Sequence, residues 1–208
     1  MKLDVLKNMS YGMYIVGACD GKKVGCVVNT VVQITNNPIT LMVSLNRNNE
    51  TTKTILKTKK FSISILDENV SPEIIGTFGY QTSREVDKFQ SVIYHDVDEL
   101  PVLDNSCGYI TCEVIDMLET STHIVFLGQV KSMDGYKEET PMTYRYYQEV
   151  LKGKSPKNAP TYIEETTTKR TVWKCKVCGY EVEMDTLPQD YRCPICGRPI
   201  SDFERIEK

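Results

Sequence analysis

The 208-residue sequence has no apolar run near the roughly 20 residues that cross a bilayer. Its opening, MKLDVLKNMSYGMY, has no apolar segment of signal-peptide length, so a cytoplasmic protein is expected. Neither sign of charge dominates: 25 Lys and Arg stand against 28 Asp and Glu, a net −3. That balance points to neither a nucleic acid nor a membrane partner. No GxGxxG follows a strand-like run, which argues against a Rossmann dinucleotide site. P-loop and nucleophile-elbow motifs are missing too. Internal repeats and low-complexity tracts are absent, and histidine occurs twice, tryptophan once.

Cysteine is the exception, with eight residues. In a reducing compartment these are not expected to pair as disulfides. Cys19, Cys26, Cys107 and Cys112 are scattered through strand-like runs and read as small buried hydrophobes. The other four form two C-x2-C pairs in WKCKVCGYEVEMDTLPQDYRCPICG, with residues 179–192 between them. A tail of about forty residues is too small to bury much core and needs a staple. Four thiolates from two tight turns make a tetrahedral S4 site for one metal, zinc or iron. Gly179 and Gly197 follow the second cysteine of each pair, where a positive φ turns backbone N–H groups toward sulfur.

Upstream of about residue 164 the pattern is different. YGMYIVGACDGKKVGCVVNTVVQIT reads as strand, Asp20-Gly21 turn, strand. ITLMVSLN and FSISIL are further strands. GYITCEVIDMLETSTHIVFLGQVKSM gives two more, broken at Glu119-Thr120-Ser121. NNETTKTILKTKK predicts a helix capped by Asn48 or Asn49. SPEIIGTFGY predicts a short helix with Pro72 in its first turn, closed by Gly76 or Gly79, and YRYYQEVLKG a last one stopped by Gly153. Many strands and few helices indicate a mainly β barrel or sandwich. The expected division is a β-rich domain over 1–163, a polar linker over 164–170 spanning on the order of 15 Å if flexible, and a metal-binding domain over 171–208.

Two resemblances sharpen this. Residues 172–204, through WKCKVCGY, LPQDYRCPICG and SDFE, resemble rubredoxin, the mononuclear iron–sulfur electron carrier. The stretch between the pairs is shorter than in free-standing rubredoxins. The resemblance implies one Fe held by Cys175, Cys178, Cys193 and Cys196, with Trp173, Tyr180, Tyr191 and Phe203 as the aromatic shell. S4 chemistry alone leaves Zn open. The runs GMYIVG, NTVVQIT, PITLMVSLNRNNETTKTI, FSISIL, GTFGYQTSREVDKF and THIVFLGQV resemble, in order and spacing, the flavin reductase-like FMN-binding split-barrel family. That likeness covers roughly residues 5–163 and implies a homodimer binding FMN near the subunit interface.

The family likeness assigns roles. Ser44, Leu45, Asn46, Arg47, Thr51 and Thr52 would take the FMN phosphate where a strand enters a helix. Asn29, Thr30, Val31 and Gln33 would face the isoalloxazine ring. Phe78, Ser83, Asp87 and Lys88 would cover the cofactor, with Lys88 on the phosphate or ring O2. His123 would stand by the flavin where NADH or NADPH approaches, and Tyr144 and Tyr146 would shape the pocket mouth. His95 is expected at the surface. The order of the two modules is similar to the high-molecular-weight rubredoxins of strict anaerobes. The fusion therefore implies electron transfer from NAD(P)H or a reduced carrier, through FMN and iron, to a protein acceptor such as a flavodiiron O2/NO reductase. The alternative is an NAD(P)H:flavin reductase with a structural zinc ribbon.

Overall fold

The structure, a computed structural model, describes residues 3–136, 139–157, 159–162, 171–184 and 186–207. The chain divides into two units, Met1–Ile163 and Glu164–Lys208. The expected linker, 164–170, lies outside the described residues. No helix among the described residues is long and apolar enough to cross a membrane.

The first unit is built on one antiparallel sheet. In chain order its strands are β1 (Tyr14–Asp20), β2 (Lys22–Val28), β3 (Val31–Asn36), β4 (Ile39–Asn46), β5 (Lys60–Ile65), β8 (Gly108–Glu119) and β9 (His123–Gly135). Their spatial order is β2-β1-β5-β8-β9-β4-β3. The two outermost strands, β2 and β3, are consecutive in the chain and joined only by Asn29 and Thr30. Laid flat, seven strands would hold them about 29 Å apart. Two bridging residues reach about 11 Å at most, so the sheet must curl into a barrel. No ladder pairs β2 with β3 among the described residues, and the barrel is split at that seam.

Period-two alternation fills the barrel. Val16 and Ala18, Val24, Cys26 and Val28, Leu41, Val43 and Leu45, and Phe61 and Ile63 all face one core, with Ile124 and Phe126 opposite. Phe61 and Phe126 are fully buried, each contributing roughly 1.5–3 kcal/mol. Gly128 makes room for the Phe61 ring: a Cβ there would lie 2.6 Å from Phe61 Cζ. Helix α1 (Glu50–Thr58) adds Ile55 to the same core. Its N-cap is Asn49, whose side chain accepts from Thr51 N at 3.2 Å.

A second core lies under α2 (Pro72–Tyr80) and α3 (Tyr144–Glu149), gathering Met13, Ile15, Ile75, Phe78 and Tyr147 among others. Several expectations are corrected here. Helix α2 runs through Gly76 and Gly79 and ends at Tyr80; neither glycine adopts a positive φ, and buried Ile75 and Phe78 hold the helix down. Helix α3 ends at Glu149, short of Gly153. Gly153 instead accommodates a ring, since a Cβ there would lie 2.0 Å from Tyr147 Cζ. What read as one strand after Gly21 is two, β2 and β3. A hairpin absent from the sequence reading, β6 (Tyr94–Val97) with β7 (Leu100–Leu103), turns on Asp98 and Glu99 at φ 52° and 68°. Such turns usually use Asn-Gly, a signal that Asp98-Glu99 does not carry.

In the second unit β10 (Thr171–Cys175) lies between β11 (Glu181–Glu183) and β12 (Phe203–Glu207). Its buried core is Cys175, Leu187, Cys193 and Phe203, flanked by Trp173, Tyr180, Val182, Tyr191 and Ile200.

Candidate flavin cavity and metal centre

The first unit contains a cavity of about 520 Å³ beside the β2–β3 seam. Its lining includes Asn29, Thr30, Ser44, Leu45, Asn46, Asn48, Asn49 and Glu50, together with the aromatic Phe78, Tyr80, Tyr144 and Tyr147. The seam is tied to β4 by two bonds: Thr30 Oγ1 donates to Ser44 O at 3.0 Å, and Ser44 N to Thr30 O at 3.2 Å. Asn29, nearly buried, donates from Nδ2 to Thr161 Oγ1 at 2.9 Å, holding a segment that adds Lys154, Pro156, Ala159 and Pro160 to the wall. His123 also lines the cavity, its Nδ1 2.8 Å from Thr122 Oγ1. The Tyr144 and Tyr147 rings stack at 6.1 Å. Tyr80 OH bonds Tyr147 OH at 3.2 Å and also Lys154 O.

Lys88 is the buried cation of this cavity, 2% exposed. Its Nζ donates to Gly25 O at 2.9 Å and Phe78 O at 3.2 Å, pinning the last turn of α2 to β2. Burial lowers its pKa below the ordinary lysine value.

Of the residues expected at the flavin, the cavity gathers Asn29, Thr30, Ser44, Leu45, Asn46, Phe78, Lys88 and His123, with Tyr144. The others lie off it. Val31 packs on the barrel core, and Gln33 is exposed on β3, bonded to Thr35 O at 3.3 Å. Arg47 turns to Glu119 Oε2 at 2.7 Å. Thr51 and Thr52 are fully buried, the latter donating to Asn46 O at 2.7 Å. Ser83 faces Gly25 O at 3.5 Å, and Asp87 caps a 3-10 turn through Phe89 N at 3.1 Å. Tyr146 packs on the second core. Sequence reasoning missed Asn48, Asn49, Glu50, Tyr80 and Tyr147. Two of these five are tyrosines, and an aromatic cluster around a flavin pocket was the available signal. It also missed Arg84, which donates from Nε to Glu50 Oε2 at 2.8 Å and from Nη2 to Asn48 O at 2.9 Å.

His95 is exposed, with Nδ1 2.5 Å from Asp104 Oδ1. Cys26 and Cys112 are buried in the barrel core, and burial pushes the Cys112 thiol up to about 12.

In the second unit the Sγ atoms of Cys175, Cys178, Cys193 and Cys196 all lie within 4.8 Å of one another. Cys175 and Cys196 are 3.7 Å apart, Cys178 and Cys193 3.4 Å. A tetrahedral site with metal–sulfur bonds of about 2.3 Å has sulfurs about 3.8 Å apart, so the four thiols fit one tetrahedral ion. Gly179 and Gly197 have φ 76° and 70°; their N–H groups donate to Cys175 O at 2.9 Å and Cys193 O at 2.8 Å. These turns aim backbone N–H groups at sulfur. The N–H of Cys178, then that of Val177, lowers the Cys175 pKa. Burial raises that of Cys193, yet the N–H groups of Cys196 and Ile195 and the neighbouring thiols bring it to about 7. Cys178 and Cys196, each facing one of these thiols, are raised instead, because without an ion one sulfur of each close pair keeps its proton; the backbone N–H groups at Cys175 and Cys193 are the part of the site that favours thiolate. Tyr191 meets Phe203 edge-on at 5.5 Å, and Trp173 Nε1 donates to Met184 O at 3.1 Å.

Residues 6–153 match the family model for the flavin reductase-like domain, and residues 173–204 that for the rubrerythrin, rubredoxin-like domain. The chain belongs to the flavin reductase-like family. It is 34% identical to a high molecular weight rubredoxin of Moorella thermoacetica over 99% of this chain and 100% of that protein. It is 32% identical to a ferric-chelate reductase (NAD(P)H) of Archaeoglobus fulgidus over 79% of this chain and 99% of the other. The structure of the NADH:FAD oxidoreductase SgcE6 from Streptomyces globisporus superposes with a TM-score of 0.62 at 17% identity, covering 67% of this chain and 84% of that one. At that identity the likeness concerns the fold.

Proposed function

We propose that this oxidoreductase is an electron-transfer protein that takes electrons from NAD(P)H or a reduced carrier into FMN. From there they would pass through an Fe(Cys)4 centre to a protein acceptor, such as a flavodiiron O2/NO reductase. The observation that carries the proposal is the presence, in one chain, of the seam cavity and of four thiols spaced for one metal ion. FMN, when bound, supplies two-electron hydride chemistry and single-electron release, and an S4 iron supplies one-electron exchange. The protein's part is placement. Asn29 and Thr30 line the cavity at the seam and would face the ring's pyrimidine edge. Lys88 holds a positive charge against the same cavity, and Phe78 and Tyr144 offer apolar faces. His123, which lines the same cavity, would stand where a nicotinamide approaches without a dinucleotide domain of its own. The backbone N–H groups around the cysteines spread thiolate charge.

A homodimer belongs to this proposal. Val32 and Ile34 on β3 and Ile115 and Leu118 on β8 are exposed apolar residues, and a second copy would cover them. Iron rather than zinc is part of the proposal; the likeness of residues 173–204 to the rubredoxin-like domain supports it, and the aromatic packing of Trp173, Tyr180, Tyr191 and Phe203 about the cysteines agrees with it. The test is Cys193→Ser. Electron delivery to a protein acceptor should stop while flavin reduction by NAD(P)H continues. Delivery that survives the loss of metal would refute the relay.

A further inference from the structure

The four cysteines are not equally hidden. Cys175 and Cys193 are buried, whereas Cys178 and Cys196 are exposed. The exposed pair lies among the two turns that carry the thiols, and the residues of those turns form a distinct surface. At its centre Val177 is 54% exposed and Ile195 70%. Two aliphatic side chains so open on the turns that carry the thiols offer apolar contact area to a partner.

The charge of the same turns is one-sided. KCKVCG (174–179) and RCPICGR (192–198) contain four cations and no carboxylate. Lys174 lies in β10 opposite Glu181 and Glu204 of the neighbouring strands. Lys176, Arg192 and Arg198 are exposed. Arg192 Nη1 reaches Gly197 O at 3.5 Å, which sets its guanidinium at the second turn. Asp202 Oδ2 lies 3.9 Å from Arg198 Nη1, at the limit of an ion pair. Glu181, Glu183 and Glu204 belong to the sheet strands, outside the two turns. Exposed Asp190 precedes Arg192 by two residues, and Asp202 O accepts from Lys176 N at 2.8 Å. Against these two carboxylates stand Lys176, Arg192 and Arg198, so the face around the exposed thiols is apolar at its centre with an excess of cations at its rim.

We infer that this face is a docking surface for a protein whose own contact surface is acidic. The inference rests on the proposed role of the S4 centre in exchanging electrons with a protein, and adds the kind of partner. Rim charges steer encounter and select among partners, while the aliphatic centre supplies contact area close to the exposed sulfurs. The aliphatic centre favours a protein over a nucleic acid, since a phosphate backbone gains nothing from Val177 and Ile195.

The test uses amide NMR spectra of the full metal-loaded chain titrated with three probes: an acidic flavodoxin, the basic cytochrome c and a short DNA duplex. Flavodoxin should shift the amides of Lys176, Val177, Arg192, Ile195 and Arg198, with an effect that fades as salt rises; cytochrome c should not. The double variant Lys176→Glu/Arg198→Glu should weaken flavodoxin binding about tenfold or more. Ile195→Ser should weaken it without changing the salt dependence. Equal shifts with cytochrome c, or no shift with any probe because the face is already covered, would overturn the inference. So would DNA binding that matches flavodoxin and ignores Ile195→Ser. Zinc in place of iron would sink the relay but leave this binding result readable, so the two failures are distinguishable.

Discussion

Arg84 Nε lies 2.8 Å from Glu50 Oε2, joining the segment after α2 to the first turn of α1, where Glu50 lines the cavity of the first unit. Arg84 holds the Glu50 carboxyl below the usual carboxylate range, with Lys53 adding to the effect. Arg47, the arginine expected at the phosphate, is committed to Glu119 instead. An anionic phosphate reaching the N-terminus of α1 would compete with Glu50 for Arg84. Arg84→Ala should therefore weaken flavin binding about tenfold or more, Arg47→Ala by less than about twofold, and Glu50→Gln should tighten it. Flavin fluorescence titration of the three variants measures the order. A loss on Arg47→Ala as large as on Arg84→Ala would return the phosphate to Arg47.

Cys193 is one of the two buried thiols of the metal site and part of the small core of the second unit. Cys193→Ser should release the metal and unfold that unit, because metal binding supplies much of the folding free energy of such small modules. The barrel transition in calorimetry should keep its midpoint, since its core is made of first-unit residues alone.

Gly128 on β9 lies against the Phe61 ring of β5, with Cys112 of β8 between them; a Cβ on Gly128 would lie 2.6 Å from Phe61 Cζ and 2.8 Å from Cys112 Cβ. Gly128→Ala should cost about 1–3 kcal/mol by overpacking, read as a lower midpoint in denaturant unfolding. A neutral effect would mean that the Phe61 ring can move aside.

The Lys88 pKa is depressed by burial, so between its folded value and the ordinary value of about 10.4 the unfolded chain binds more protons. The contribution of Lys88 to stability should then rise with pH through that window, as the cost of burying its charge disappears. Lys88→Met should remove this rise. It also leaves Gly25 O and Phe78 O without their ammonium donor, at about 1–3 kcal/mol. Denaturant midpoints of both proteins against pH, compared as a difference, decide it; an unchanged slope would contradict it.

Local chemistry was legible and register was not. The cysteine spacing, the Asp20-Gly21 hairpin and the Asn49 cap depend on a few neighbouring residues, and the sequence shows them directly. Arg47 follows β4, and its direction depends on the β8–β9 hairpin that brings Glu119 beside it. Gln33 lies next to a register shift in the β3–β4 ladder, a displacement that periodicity cannot reveal. Arg84 and Glu50 are far apart in the chain and meet only once α2 has packed against β2.

The visible spectrum of the protein purified without oxygen, with metal analysis of the same sample, bears most directly on the electron relay. It should show oxidised flavin bands with broad iron–thiolate charge-transfer bands and about one iron per chain, and NADH or a reduced carrier should bleach both. A yellow protein carrying zinc, with no charge-transfer bands, would contradict the relay and leave a flavin reductase with a structural metal clip.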